Sequence, residues 1–62
     1  MPSYRCYFIG RDDHIQAAEN IDADDIGEAV ERGLVMLKER PQYRSIELWE
    51  GAERVYPPDD HP

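Results

Sequence analysis

Between a cluster of aspartates at Asp22, Asp24 and Asp25 and a proline at Pro41, small and apolar residues recur at a helical spacing. Ile26, Ala29, Val30, Gly33, Leu34 and Leu37 stand at i, i+3, i+4, i+7, i+8 and i+11. That period places them on one stripe of an α-helix. Asp24 reads as the N-cap, because a carboxylate there accepts from the free backbone N–H groups of the first turn. Asp25 with Glu28 forms the capping-box alternative. Lys38 and Arg40 lie at the end where the macrodipole favours cations, and Pro41 stops the helix. Glu28 and Arg32 make an i,i+4 pair on the outer face. Gly33 on the stripe costs about 1 kcal/mol relative to Ala, so a close approach of helix and sheet is expected there. Val35 falls on the polar side, as a lone exposed Val.

A helix that is apolar on one side needs another layer to cover it. The flanking segments supply strands. Tyr4 to Ile9 is rich in aromatics and ends at Gly10, and Gly10-Arg11-Asp12-Asp13 has turn chemistry. His14 to Ile21 reads as a second strand, with Ile15, Ala17 and Ile21 at even spacing. Glu19 shares their parity, and a bulge near Ala18 and Glu19 would repair the alternation. Ser45 to Trp49 alternates as a third strand, Glu50-Gly51 is a tight turn, and Arg54 to Tyr56 is a short fourth strand. The expected fold is α+β, a four-stranded antiparallel sheet with one helix on one face, in the order ββαββ. Residues 1–58 form the single domain, and Asp59 to Pro62 are expected to be a disordered tail. The expected core is Tyr4, Cys6, Phe8, Ile15, Ile26, Val30, Leu34, Leu37, Ile46, Leu48 and Val55.

Several of these residues carry a resemblance. Tyr4-Arg5-x-Tyr7-Phe8, Asp12-x-His14-Ile15, Glu28-Ala29-Val30, and Trp49, Gly51, Ala52, Arg54 and Val55 in that order resemble a group of short hypothetical proteins of alphaproteobacteria. The likeness covers nearly the whole chain. It implies the ββαββ fold and no particular activity. In that group a glycine is expected at the hairpin turn, where this chain has Asp13. A weaker likeness is to small hairpin-plus-helix antitoxins, whose Pro-Asp-Leu-Pro-Gly-Cys stretch this chain lacks.

The chemistry of the chain excludes more than it assigns. Fourteen acids against seven bases give a net charge of −7, which argues against nucleic acid as a partner. No apolar run is long enough to span a membrane, and Met1 to Arg5 hold no apolar secretory core. The single cysteine, Cys6, forms no internal disulfide and suits a reducing cytoplasm. It sits mid-strand, as an inert buried thiol rather than a nucleophile. Asp12-Asp13-His14 reads as a turn and Asp59-Asp60-His61 as a solvated tail. Neither has the spacing of a zinc site. Asp22-x-Asp24-Asp25 lacks the Gly and distal Glu of a calcium loop. No phosphate loop is present. No catalytic residue, metal ligand or cofactor is expected, and enzyme activity is not.

At 62 residues the core alone supplies roughly 3–5 kcal/mol, and with no disulfide a partner subunit is the expected staple. Alternation along the strands leaves a second sheet face bare, carrying Arg5, Tyr7, Ile9, Glu47, Trp49, Arg54 and Tyr56. Aromatic centres rimmed by charge are typical of interfaces. The expected interface is Tyr7, Ile9, Trp49 and Tyr56 with Arg5 and Arg54, used for a homodimer or for a protein partner. The competing arrangement lays the rings flat with Arg5 and Arg54 stacked on them. The functional expectation is a non-enzymatic interaction module. The alternatives are a small-ligand binder with its pocket between subunits, and an acidic, antitoxin-like inhibitor of a basic partner.

Overall fold

A computed structural model describes residues 2–58, so the expectation for Asp59 to Pro62 lies outside the described residues. Strand β1 (Ser3–Gly10) and strand β2 (Ile15–Asp22) form a hairpin, followed by helix α1 (Ile26–Lys38), strand β3 (Tyr43–Glu50) and strand β4 (Glu53–Tyr56). The sheet order is β2-β1-β3-β4, with every pair antiparallel. This is the expected ββαββ architecture. Because β2 and β3 both oppose β1, they run parallel to each other, and α1 is the crossover that such a pair requires.

The hairpin turn is built from backbone and Asp chemistry. The Gly10 N–H donates to the His14 carbonyl at 2.8 Å, and the Asp13 N–H donates to the Gly10 carbonyl at 3.0 Å. Asp13 takes φ 67°, the left-handed region that glycine fills most easily and Asp tolerates. This is where the resemblance implies a glycine. Asp13 also pairs with Arg44 across the sheet. At the β3–β4 turn, Gly51 with φ 61° supplies the positive φ that a two-residue hairpin loop demands.

Asp25, not Asp24, caps the helix. Its Oδ1 accepts from the Glu28 N–H at 2.8 Å, and its carbonyl accepts from the Ala29 N–H at 3.1 Å. At the other end the Arg40 N–H donates to the Leu37 carbonyl at 3.0 Å, one residue before Pro41.

The helix turns its smallest residues to the sheet. Ala29 and Gly33 are buried, whereas Val30, Met36 and Leu37 are half-buried on the flanks. A methyl built on Gly33 would sit 2.7 Å from Ile46 Cδ1 and 3.6 Å from Cys6 Sγ, so the glycine does permit close approach. The core is Tyr4, Cys6, Phe8, Ile21, Ala23, Ala29, Ile46 and Leu48. Of the expected members, Val30, Leu37 and Val55 pack half-buried against it, and three others are exposed. Leu34 is 41% exposed, Ile26 43% and Ile15 58%. Leu34 lies at one edge of the apolar stripe, and rotating the helix onto Ala29 and Gly33 carries it outward, whereas Ile26 is the first residue of the helix. Val35 is exposed, as expected.

Three bulges set which face each strand residue takes. Phe8 opposes Ala17, but Ile9 opposes Ile15, so Gln16 is the extra residue. The bulge therefore comes before Ala17, not near Ala18 and Glu19, and it turns Ile15 away from the helix. Glu19 opposes Cys6 on the helix side, where Arg40 answers its charge with a 2.6 Å ion pair. The same guanidinium lies over the Phe8 ring at 4.9 Å. Its buried Nη1 has no aligned hydrogen bond, so its partner there is the Glu19 charge. A second bulge, at Arg44, puts Tyr43 opposite Gly10, and the Tyr43 ring packs on Phe8 at 5.2 Å between centroids. The third, at Val55, puts Tyr56 opposite Leu48.

Candidate functional site

The molecule measures 30 × 30 × 17 Å. A thickness of 17 Å fits one sheet and one helix layer, since packed layers stand about 10 Å apart. No second element among the described residues covers the far side of the sheet. The parity of β1 sends Tyr4, Cys6 and Phe8 to the helix, and therefore Arg5, Tyr7 and Ile9 to the open face. Register then brings Trp49 beside Arg5, Glu47 beside Tyr7 and Arg54 beside Trp49. Five of the six expected interface residues, Arg5, Tyr7, Ile9, Trp49 and Arg54, thus share one face.

Tyr56 does not join them. Opposite Leu48, it packs with Val55 against the helix-side core. A count by twos along β4 assigns it to the open face, and the bulge at Val55 reverses that count. Ile15 takes its place in the patch. It opposes Ile9 and extends the apolar surface onto β2. One sequence signal bears on the bulge at Gln16. Gly10 leaves room for the Gln16 side chain, and a methyl there would stand 2.6 Å from Gln16 Cγ.

Tyr7 and Trp49 meet edge to face, with centroids 6.5 Å apart and planes at 86°. This is a favoured aromatic geometry, reached diagonally across the β1–β3 ladder. The Trp49 indole N–H donates to Glu47 Oε1 at 3.1 Å, which fixes the ring and leaves its body half-exposed. Arg5 sits 5.9 Å from the Tyr7 centroid and donates to Asn20 Oδ1 at 3.1 Å. Arg5 is therefore partly the cover that the competing arrangement expects, and among the described residues Arg54 stacks on no ring. A shallow depression of about 260 Å³ lies between Tyr7, Ile15, Glu47 and Trp49.

The groups that could carry chemistry lie elsewhere. Cys6 is fully buried, and its thiol is pushed up to about 11, first by burial and then by the nearby Glu19 carboxylate. A thiol so protonated at neutral pH is a poor nucleophile. The Asp12 carboxyl is held below its ordinary value, chiefly by the His14 backbone N–H and then by the Gln16 amide. The His14 bond, at 3.1 Å, makes an Asx turn, and the Gln16 side chain adds a second donor at 3.1 Å. His14 Nδ1 lies 3.5 Å from Asp12. Among the described residues no three His, Cys, Asp or Glu side chains gather to hold a metal ion. No helix there is long and apolar enough to cross a membrane.

No family model, curated protein or solved structure matches the chain.

Proposed function

We propose that this chain is a non-enzymatic interaction module that self-associates through the open face of its sheet. One observation carries the reading. Tyr7, Ile9, Ile15 and Trp49 form a continuous aromatic and aliphatic patch on a face that no other described element covers. Arg5 and Arg54 supply the charged rim. Strands about 4.8 Å apart, three of them about 26 Å long and β4 about 13 Å, give the face roughly 440 Å² of plan area. Two such faces together reach about 900 Å² of plan area, near the roughly 1,000 Å² of a specific interface. A second copy is the simplest occupant, because a two-fold interface uses one patch twice. A different protein partner is the next reading. The free Cys6 suits a reducing compartment, and a cytoplasmic location belongs to the same proposal.

The depression between Tyr7, Ile15, Glu47 and Trp49 favours a second reading, in which two copies enclose a small ligand. Trp49 reports on both. Its emission is expected to shift red as a micromolar sample is diluted to nanomolar, as the indole regains water. Emission that is already water-like and independent of concentration would sink the self-association reading. A bound molecule released from the purified protein on denaturation would favour the ligand reading.

A further inference from the structure

Besides the outer edges of β2 and β4, the sheet leaves a stretch of β3 edge unpaired among the described residues. Strand β3 has eight residues and β4 only four. β4 pairs with Leu48, Trp49 and Glu50, and Pro57 has no N–H with which to extend the ladder. Among the described residues nothing pairs with Arg44, Ser45, Ile46 and Glu47 on the side away from β1. Along an antiparallel edge alternate residues direct both N–H and C=O outward. The open stretch therefore presents two donors and two acceptors over about 13 Å. A groove of about 380 Å³ runs beside it. Leu34, Leu37 and Ile46 line its helix side, Ile9 its other side, and Tyr56 and Pro57 close one end. The outward rotation of Leu34 that removed it from the core is what places it on this groove.

Backbone groups in a row are satisfied by another extended backbone, and the apolar groove takes the side chains that alternate from it. The length of the edge decides what kind of backbone fits. It is bounded by Pro57 at one end and by the turn at Arg40 to Gln42 at the other. Two copies pairing antiparallel along this edge would drive each β4 into the other's Arg40–Gln42 turn. Four residues of edge also fall far short of the roughly 1,000 Å² that a stable dimer needs, whereas they suffice for a short peptide.

We propose that the open edge of β3, Arg44 to Glu47, docks a short extended segment of a partner protein. The segment adds a strand beside β3 and sets an apolar side chain between Leu34, Leu37 and Tyr56. This site shares Ile9 and Glu47 with the open sheet face but does not need Tyr7 or Trp49.

Random heptapeptides displayed on phage, selected against the full chain, supply the probe. The best-enriched peptide is then synthesised and titrated into ¹⁵N-labelled protein. Enriched sequences are expected to carry apolar residues at alternate positions. Binding is expected to shift the amides of Arg44 to Glu47 and to protect two alternate ones from exchange. N-methylation of one inward-pairing peptide nitrogen is expected to weaken binding at least tenfold, and so is Leu34→Glu. Leu34 is 41% exposed, so that variant keeps its fold, checked by its helical circular dichroism. Trp49→Ala is expected to leave the affinity unchanged. Four outcomes overturn the proposal: no peptide enriched, shifts centred on Trp49 instead, full binding by the N-methylated peptide, or amides at Arg44 to Glu47 already protected without peptide. In that last case, loss of protection on dilution would assign the edge to a second copy. Loss on deleting Asp59 to Pro62 would assign it to the chain's own terminus.

Discussion

Adding one methyl at Gly33 sets two opposing effects against each other. Ala is favoured over Gly inside a helix by about 1 kcal/mol. The new Cβ would stand 2.7 Å from Ile46 Cδ1, about 1 Å inside the 3.5–4.0 Å at which carbon atoms attract. Ile46 is only 3% exposed, so its terminal methyl has little room to retreat. Overpacking of this kind costs about 1–3 kcal/mol. The net expectation for Gly33→Ala is a loss of about 0–2 kcal/mol, or up to about 16 °C in Tm for a domain of this size. Ile46→Val removes the atom that clashes and alone costs about 0.5–1.5 kcal/mol. In the double variant the helix-propensity gain survives and the clash does not. It is therefore expected to be more stable than the sum of the two single changes by about 1–3 kcal/mol, the overpacking that it removes, read by urea denaturation of all four proteins as a double-mutant cycle. Strict additivity, or a Gly33→Ala protein more stable than the parent by the full propensity gain, would refute the close approach of helix and sheet at this point.

Other perturbations test separate parts of the structure. Leu34→Ala is expected to cost under about 2 kcal/mol, below the usual 2–5 kcal/mol of a buried leucine, because Leu34 is 41% exposed. A larger loss in the same denaturation assay would place it in the core after all. Asp25→Ala is expected to cost about 0.5–2 kcal/mol as a lost N-cap, and Asp24→Ala close to nothing. Equal losses would contradict the observed bond from the Glu28 N–H. Burial lifts the Cys6 thiol from 9.0 to about 11. The folded state thus holds its proton where the unfolded state releases it, so this contribution is complete below pH 9 and fades as pH rises from 9 towards 11. Stability measured across that window is expected to fall more steeply for the parent than for Cys6→Ala, and equal slopes would show the thiol in contact with water.

What could be read from the chain was whatever depends on local period. The helix follows from Ile26 to Leu37, and the strands from alternation and turn chemistry, so the ββαββ order is legible. Helix rotation was not. A stripe that includes Ala29, Gly33 and Leu34 can face the sheet through any of them, and only the depth of approach at Ile46 selects Ala29 and Gly33. Face assignment failed where bulges intervene. Ile15 and Tyr56 exchange sides because Gln16 and Val55 each insert one residue, and a one-residue slip inverts all that follows. Arg5, Tyr7, Ile9, Trp49 and Arg54 were legible because no bulge separates them from the regular part of the ladder. Glu19 shows the opposite limit. Its place on the apolar parity is explained by Arg40, some 20 residues away in sequence, a pairing that no local pattern reveals.

The central claim is that the open face buries itself against a second copy. Sedimentation equilibrium across nanomolar to micromolar concentration tests it directly, run on the parent and on the Tyr7→Ala, Trp49→Ala double variant. The account predicts a parent mass approaching twice the 7.2 kDa chain at micromolar concentration, and 7.2 kDa throughout for the variant with its helical signal intact. A parent that stays at the single-chain mass at every concentration would contradict it.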